Sequence, residues 1–288
     1  MKKIGFIDLH LDQFHANKYP GWIEQATESA MKVVYAYGKR DKENGLTNEA
    51  WSKENGIELL PTIEDVVERS DYLIVLSPDN PEFHEELSQL PLQSGKPTYI
   101  DKTFAPDRDT AIRLFDLAAQ HGTPMYSTSA LRFASEYTEL NRSDIQTISS
   151  WGPGGFANYS IHQIEPIVSL MGASPKRVMY IGTPDSPALL IDFGDGRQAT
   201  VNHLGENCPF TLGIKNDAGS FTQVTANSNF FALFIENLVN FFESGKPAVN
   251  SAETIAVITI IEYGLKAADT PYTWVELPRL RNHGLVTL

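Results

Sequence analysis

Short apolar runs separated by amphipathic segments fill the first 127 residues, and that alternation constrains the fold more than any other feature of the chain. The runs are IGFIDL (4–9), KVVYAY (32–37), DYLIVL (71–76), PTYID (97–101) and PMYS (124–127). Helical candidates lie between them. A polar stretch after KIGFIDL begins a helix near Asp12; Thr62 and Asp65 are spaced as in a capping box; PEFHEELSQL covers 81–90. DRDTAIRLFDLAAQHG (107–122) is expected to turn Ile112, Phe115, Leu117 and Ala119 inward and to end at Gly122, a C′ glycine. Strands alternating with helices imply βαβ units, and right-handed crossovers assemble these into an α/β, Rossmann-like doubly wound parallel sheet.

After residue 127 the pattern changes. Helices are expected at 131–141, 160–171, 229–244 and 251–268. Strand-like runs occupy 145–152, 177–183, 188–194, 197–205, 210–216 and 219–226. The turn signals FGDGR and KNDAGS separate several of these as in antiparallel hairpins. The expectation is residues 1–126 as a Rossmann-like dinucleotide-binding domain. Residues 127–288 then form an α+β domain for substrate binding and oligomerisation, with an open, mostly antiparallel sheet. The apolar face of such a sheet must be covered, so a homodimer is expected.

Charge and composition narrow the function. The 288 residues carry a formal net charge of −13, which repels phosphate backbones and argues against nucleic-acid binding. No apolar segment approaches the ~18 residues of a membrane span. Nothing at the N-terminus reads as a signal peptide, and the single cysteine, Cys208, cannot form an internal disulfide. A cytoplasmic location is the expectation.

Three stretches carry candidate chemistry. LSPDNPEFH (76–84) follows a buried strand and so lies at the carboxyl edge of the parallel sheet, where ligands of such folds bind; the blander reading is a proline-broken loop with a helix cap. GKPTYIDKTFAPD (95–107) places Asp101 and Lys102 at the same edge. A lysine there is either a surface cation or a donor to a substrate oxygen. GPGGFANYSIHQIEPIVSLMG (152–172) puts His162 and Glu165 one helical turn apart. His162 there is a proton acceptor near neutral pH, or a helical histidine satisfied by Glu165. The histidines show no metal spacing, and no metal is expected.

In their order, these pieces resemble the Gfo/Idh/MocA oxidoreductases, named for glucose–fructose oxidoreductase and inositol dehydrogenase. The resemblance runs through SPDNPEFH…GKPTYIDKT, with Asp101-Lys102-Thr103 at the family's EKP triplet. It continues through the glycine-led helix that carries His162 and through the closing helices joined by a GKP turn (229–267). It implies hydride transfer between NAD or NADP and a hydroxyl-bearing carbon of a small molecule, often a sugar or polyol. Lys102 and His162 then hold the catalytic positions, and Asn158, Tyr159 and Glu165 surround the substrate. Asp8, Leu9, His10, Gln13, Lys39, Arg40, Ser77, Pro78, Asn80, His84 and Asp101 fall on the cofactor side.

Departures from the family pattern point the other way. Asp8-Leu9-His10-Leu11-Asp12-Gln13 stands where the family has G-x-G-x-x-G; Asn158 replaces an aspartate; Thr103 replaces a proline. Gly38-Lys39-Arg40, where the family has an acidic ribose-binding residue, suits a 2′-phosphate or is simply a solvated turn. The altered loop implies weakened or shifted dinucleotide binding. Two alternatives follow: a non-catalytic sensor or scaffold that has lost tight dinucleotide binding, and a non-redox enzyme such as a lyase.

Overall fold

In the computed structural model, which describes residues 1–217 and 219–279, the chain forms two compact units. The first comprises residues 1–134 and 229–251. Its elements run β1 (Lys2–Asp8), α1 (Phe14–Ala26), β2 (Met31–Gly38), α2 (Asn48–Asn55), β3 (Glu58–Leu59), α3 (Ile63–Arg69), β4 (Tyr72–Val75), α4 (His84–Gln93), β5 (Thr98–Ile100), α5 (Arg108–Gln120) and β6 (Met125–Tyr126). The strands form one parallel sheet in the order β3-β2-β1-β4-β5-β6, the doubly wound topology that the βα alternation implies. β1 sits at its centre and is buried from Ile4 onward on both faces. This is why it reads as an unbroken apolar run rather than an alternating one.

Local signals set the helix ends. Thr62 caps α3 by accepting from Asp65 N at 3.1 Å, and its hydroxyl donates to the Asp65 carboxylate at 2.7 Å. Gly122, with φ +63°, follows the end of α5. The inward stripe of α5 is not the expected one. Ala111, Leu114 and Ala118, spaced i, i+3 and i+7, face the core together with Thr110. Ile112, Phe115 and Leu117 flank that stripe, and Ala119 is exposed.

The second unit comprises residues 135–228 and the described part of the chain from 252. It holds α6 (Ser135–Thr138), β7 (Ile145–Gly152), α7 (Phe156–Met171), β8 (Arg177–Tyr180), β9 (Ala188–Asp192), β10 (Gln198–His203), β11 (Thr211–Asn216) and β12 (Phe221–Thr225). Its strands pair in the order β12-β11-β7-β10-β9-β8-β13, where β13 is Val275–Glu276. Every pairing is antiparallel except β7 with β10. α7 lies on this sheet and is fastened by the buried Gln163. Its amide accepts from Ser150 Oγ at 2.9 Å and donates to the Asn202 carbonyl at 3.1 Å.

Two helical expectations change. The helix expected at 131–141 is a 3₁₀ turn (Ala130–Phe133) and the single turn α6, interrupted where Ala134 turns extended. There the Glu136 carboxylate is drawn off to Ser228, whose Oγ donates to it at 2.7 Å and whose N–H donates at 2.8 Å. The second change concerns α8 (Phe230–Ser244), which was expected with the second domain. It belongs to the first unit, whereas α9 (Ser251–Ala267) lies almost wholly in the second. Phe234, Leu238, Phe241 and Phe242 make one stripe along α8, and they close the core over the parallel sheet. Phe242 stacks on Tyr72 with centroids 4.9 Å apart, and Phe234 contacts the rings of Tyr19 and Tyr99 at 5.7 and 5.4 Å.

Phe234 has no exposed surface. Phe234→Ala is expected to destabilise the protein by ~3–5 kcal/mol, the usual cost of emptying a buried aromatic site. Urea denaturation of both proteins measures this, and a loss under ~1 kcal/mol would remove α8 from the core.

Candidate active site

The carboxyl edge of the parallel sheet is built around the start of α1. Asp8 ends β1 with no exposed surface. One of its oxygens accepts from Leu9 N at 2.7 Å and the other from Gln13 Nε2 at 2.9 Å. Gln13 then caps α1, its Oε1 accepting from His15 N at 2.7 Å. Leu11 N donates at 3.0 Å to Asn48 Oδ1, and the amide of Asn48 donates in turn to the carbonyls of Gly38 and Arg40. None of residues 8–13 has a positive φ, so the turn carries side chains where glycines were expected without backbone strain. Gly38 has a different reason to be glycine: a Cβ there would lie 2.4 Å from the Asn48 side chain. Leu9 is fully buried. His10 is partly buried, its Nδ1 has no hydrogen-bond partner, and burial together with Lys42 and Arg40 pushes its pKa down. A neutral His10 offers no charge to offset Asp8.

Asp101, just beyond β5, is equally buried. It pairs with His15 Nδ1, accepts from Lys102 N at 2.9 Å and receives the Tyr99 hydroxyl at 3.2 Å. Burial alone would raise this carboxyl, but the charge and hydrogen bond of His15, with Lys102, hold it below its ordinary range. The Lys102 side chain is largely covered. Its Nζ donates to the Pro78 carbonyl at 3.2 Å and faces the exposed Asp79 carboxylate at 3.6 Å. Pro78 is presented by an unusual turn: Ser77, buried, holds φ +86° and donates from Oγ to the Asn80 carbonyl at 3.1 Å. A non-glycine residue in that region stores strain. Asn80 itself points to Glu82 at 3.1 Å.

The remaining cofactor-side residues have other partners. His84 is fully buried, with its ring nitrogens against the carbonyls of Phe104 (3.0 Å) and Leu76 (2.7 Å), so it clamps the core and offers no atom to a ligand. Lys39 pairs with Glu86. The Arg40 guanidinium lies over the Phe83 ring, 5.4 Å from its centroid.

In the second unit, α7 carries the other candidates. Glu165 faces inward and His162 is half-buried, with edge-to-face contacts to Tyr159 and Phe210 at 5.5 Å each. Asn158 and Tyr159 are exposed on the first turn. The Tyr159 ring covers Gly154, where a Cβ would lie 2.3 Å from it; Gly154 also has φ +72°. Among the described residues no cluster of three or more His, Cys, Asp or Glu could hold a metal ion, and no helix is long and apolar enough to cross a membrane.

No protein-family profile and no curated protein matches the chain. Solved structures do. The myo-inositol 2-dehydrogenase of Lactobacillus plantarum superposes with a TM-score of 0.77 at 15% identity, covering 96% of this chain and 99% of that one. GenD2 from gentamicin A biosynthesis, solved in complex with NAD, gives 0.77 at 12% identity over 96% and 97%. A biliverdin reductase from Synechocystis sp. PCC 6803, in complex with biliverdin and NADP+, gives 0.71 at 12% identity over 92% and 98%. The chain has the fold of these dehydrogenases and reductases along nearly its whole length.

Two of these structures hold NAD or NADP+, and in a doubly wound sheet the first turn is where a pyrophosphate presses against backbone N–H groups. The residues present do not fit that role. The N–H groups of Leu9, Leu11 and His15 are bonded within the chain, and a buried carboxylate stands among them. Sequence reasoning missed His15, Asn48, Tyr99 and Asp79 as members of this edge. Asp79 and Tyr99 lie within the two stretches already placed at this edge, whereas His15 and Asn48 lie in neither.

Burial, opposed by the Gln13 and Leu9 hydrogen bonds and reinforced by the charge of Asp101, raises Asp8 to about 7. The unfolded chain releases this proton near the ordinary carboxylate value of 3.8. Between the two, the folded state binds the extra proton, so the contribution of Asp8 to stability is lost as pH rises through that window. Asp8→Asn does not titrate. Its stability relative to the parent is expected to improve by of the order of 4 kcal/mol from pH 4 to pH 8. Denaturation midpoints at several pH values test this, and a difference that does not change with pH would refute it.

Proposed function

We propose that this chain is an oxidoreductase of the Gfo/Idh/MocA family that acts on a CH–OH group of a hydroxylated small molecule, a sugar or polyol derivative. The observation that carries the reading is Lys102. It is a covered cation at the ligand-binding edge of a dehydrogenase fold, held by one carbonyl and a carboxylate that faces solvent. A substrate oxygen can replace so light a partner, and a positive charge there stabilises an alkoxide. A carbinol gives up hydride readily only as its O–H proton leaves, and His162 is the acceptor in this reading. Asn158, Tyr159 and Glu165 shape the substrate side. NAD or NADP is the redox partner by analogy with the complexes of this fold. No metal takes part.

One observation favours a second reading, a sensor or scaffold that binds the small molecule without tight dinucleotide binding: the first turn is already satisfied by its own side chains. Turnover separates the two. With a panel of polyols and sugars and either dinucleotide, nicotinamide absorbance should report oxidation. Lys102→Met should then lower kcat about a hundredfold, and His162→Ala by roughly 10²–10⁴. Absence of turnover across the panel, with no dinucleotide bound, would leave the second reading.

We also propose a homodimer formed through the open face of the second sheet. Met179, Leu190, Thr200 and Ser149 make a row across four adjacent strands and are only half-buried within one chain. Light scattering at micromolar concentration should give the mass of two chains, and a monomer would count against this assembly.

A further inference from the structure

The structure assigns the first turn an internal ligand: we propose that the Asp8 carboxylate, with the amides of Gln13 and Asn48, occupies the pyrophosphate and ribose positions, and that a dinucleotide binds only by displacing them. This rests on the oxidoreductase reading for the identity of the competing ligand.

Two separate parts of the site support it. At the turn, the bonds run in a chain: Leu9 N to Asp8, Gln13 Nε2 to Asp8, and His15 N to Gln13. In a doubly wound fold the N–H groups here are what an incoming phosphate receives. In this chain they already face an anion of its own, or a carboxyl when Asp8 is protonated. Beyond the turn, the ribose of a dinucleotide lies between the first turn and the end of the second strand. Asn48 fills that space. It is buried, reaches Leu11 N from one side and the carbonyls of Gly38 and Arg40 from the other, and lies so close to Gly38 that no Cβ fits. Neither feature strains the backbone, because residues 8–13 all keep negative φ. The side chains are therefore a stable filling of the site.

Occupancy makes a different prediction from charge repulsion alone. Asp8→Asn removes the charge but keeps an oxygen on Leu9 N, so the turn stays filled. Asp8→Gly removes both. Asn48→Ala opens the ribose position. NADH and NADPH are titrated into the parent and each variant by calorimetry. Thermal melts confirm folding, and amide spectra report the Leu9, Leu11 and His15 N–H groups. Asp8→Gly is expected to bind at least one dinucleotide about a hundredfold more tightly than the parent. Asp8→Asn should gain far less. Asn48→Ala should add a further gain, and the three amides should shift on binding. The proposal fails if the parent binds below micromolar and Asp8→Gly no more tightly, a result that leaves the oxidoreductase reading standing. It fails equally if Asp8→Asn matches Asp8→Gly, since charge alone would then account for the effect. If folded Asp8→Gly and Asn48→Ala both ignore the dinucleotides, the internal ligand is not what excludes them, and the oxidoreductase reading falls as well.

Discussion

Two buried carboxylates, Asp8 and Asp101, bond to the same short segment of chain, and the carboxyl edge of the first sheet is arranged around satisfying them. A buried carboxylate is costly unless it is protonated, paired or hydrogen-bonded. The two are handled differently. Asp101 is given a histidine, a tyrosine hydroxyl and a backbone N–H, and so remains charged. Asp8 is given only amide donors, with Asp101 as a like-charged neighbour, and its proton is held up to about 7. Each draws one partner from the start of α1, Gln13 for Asp8 and His15 for Asp101. That helix is thereby pinned to the ends of β1 and β5 at once. Breaking either link exposes the other, because an uncompensated buried charge is worth several kcal/mol.

This arrangement was partly legible in the sequence, and the division follows sequence distance. The central strands could be read because burial on both faces makes them continuous apolar runs, and Thr62, Asp65 and Gly122 announced helix ends by local chemistry. The placement of α8 could not be read. Its aromatic stripe shows that the helix must be covered, but the stripe looks the same whichever sheet covers it. The same holds at the site. Lys102 and the Ser77–Asn80 turn could be placed at this edge because each follows the end of a readable strand. His15 and Asp101 are 86 positions apart, and Asn48 meets Leu11 across 37. No local pattern encodes such pairs. Gly38 was visible, but its reason, the Asn48 amide lying against it, was not.

The first turn also shows why a motif and its structural setting must be separated. A glycine in the phosphate-binding turn serves two ends: backbone freedom and close approach of a ligand. Here φ is negative throughout residues 8–13, so the first need is absent, and only the second bears on these positions. The doubly wound fold therefore forms without the motif.

The cations around this edge follow the same logic as the amides. Lys39 is paired with Glu86, Arg40 lies over Phe83, Lys42 donates to the Asp12 carbonyl, and Lys102 leans on Pro78 and Asp79. A dinucleotide site needs positive charge held in reserve for phosphate, whereas these four have each been given a partner. The partners are unequal. Arg40 leans on a ring and Lys42 on a backbone carbonyl, whereas Glu86, the partner of Lys39, is exposed like Asp79. Asp79 is exposed on a strained turn, so rotating it away needs no rearrangement of the core and leaves Lys102 with a single carbonyl. Of the three lysines Lys102 is the most covered, so its charge, once freed of Asp79, is the least screened by solvent. One covered charge suits a single developing oxyanion better than two phosphates, in keeping with the role proposed for Lys102.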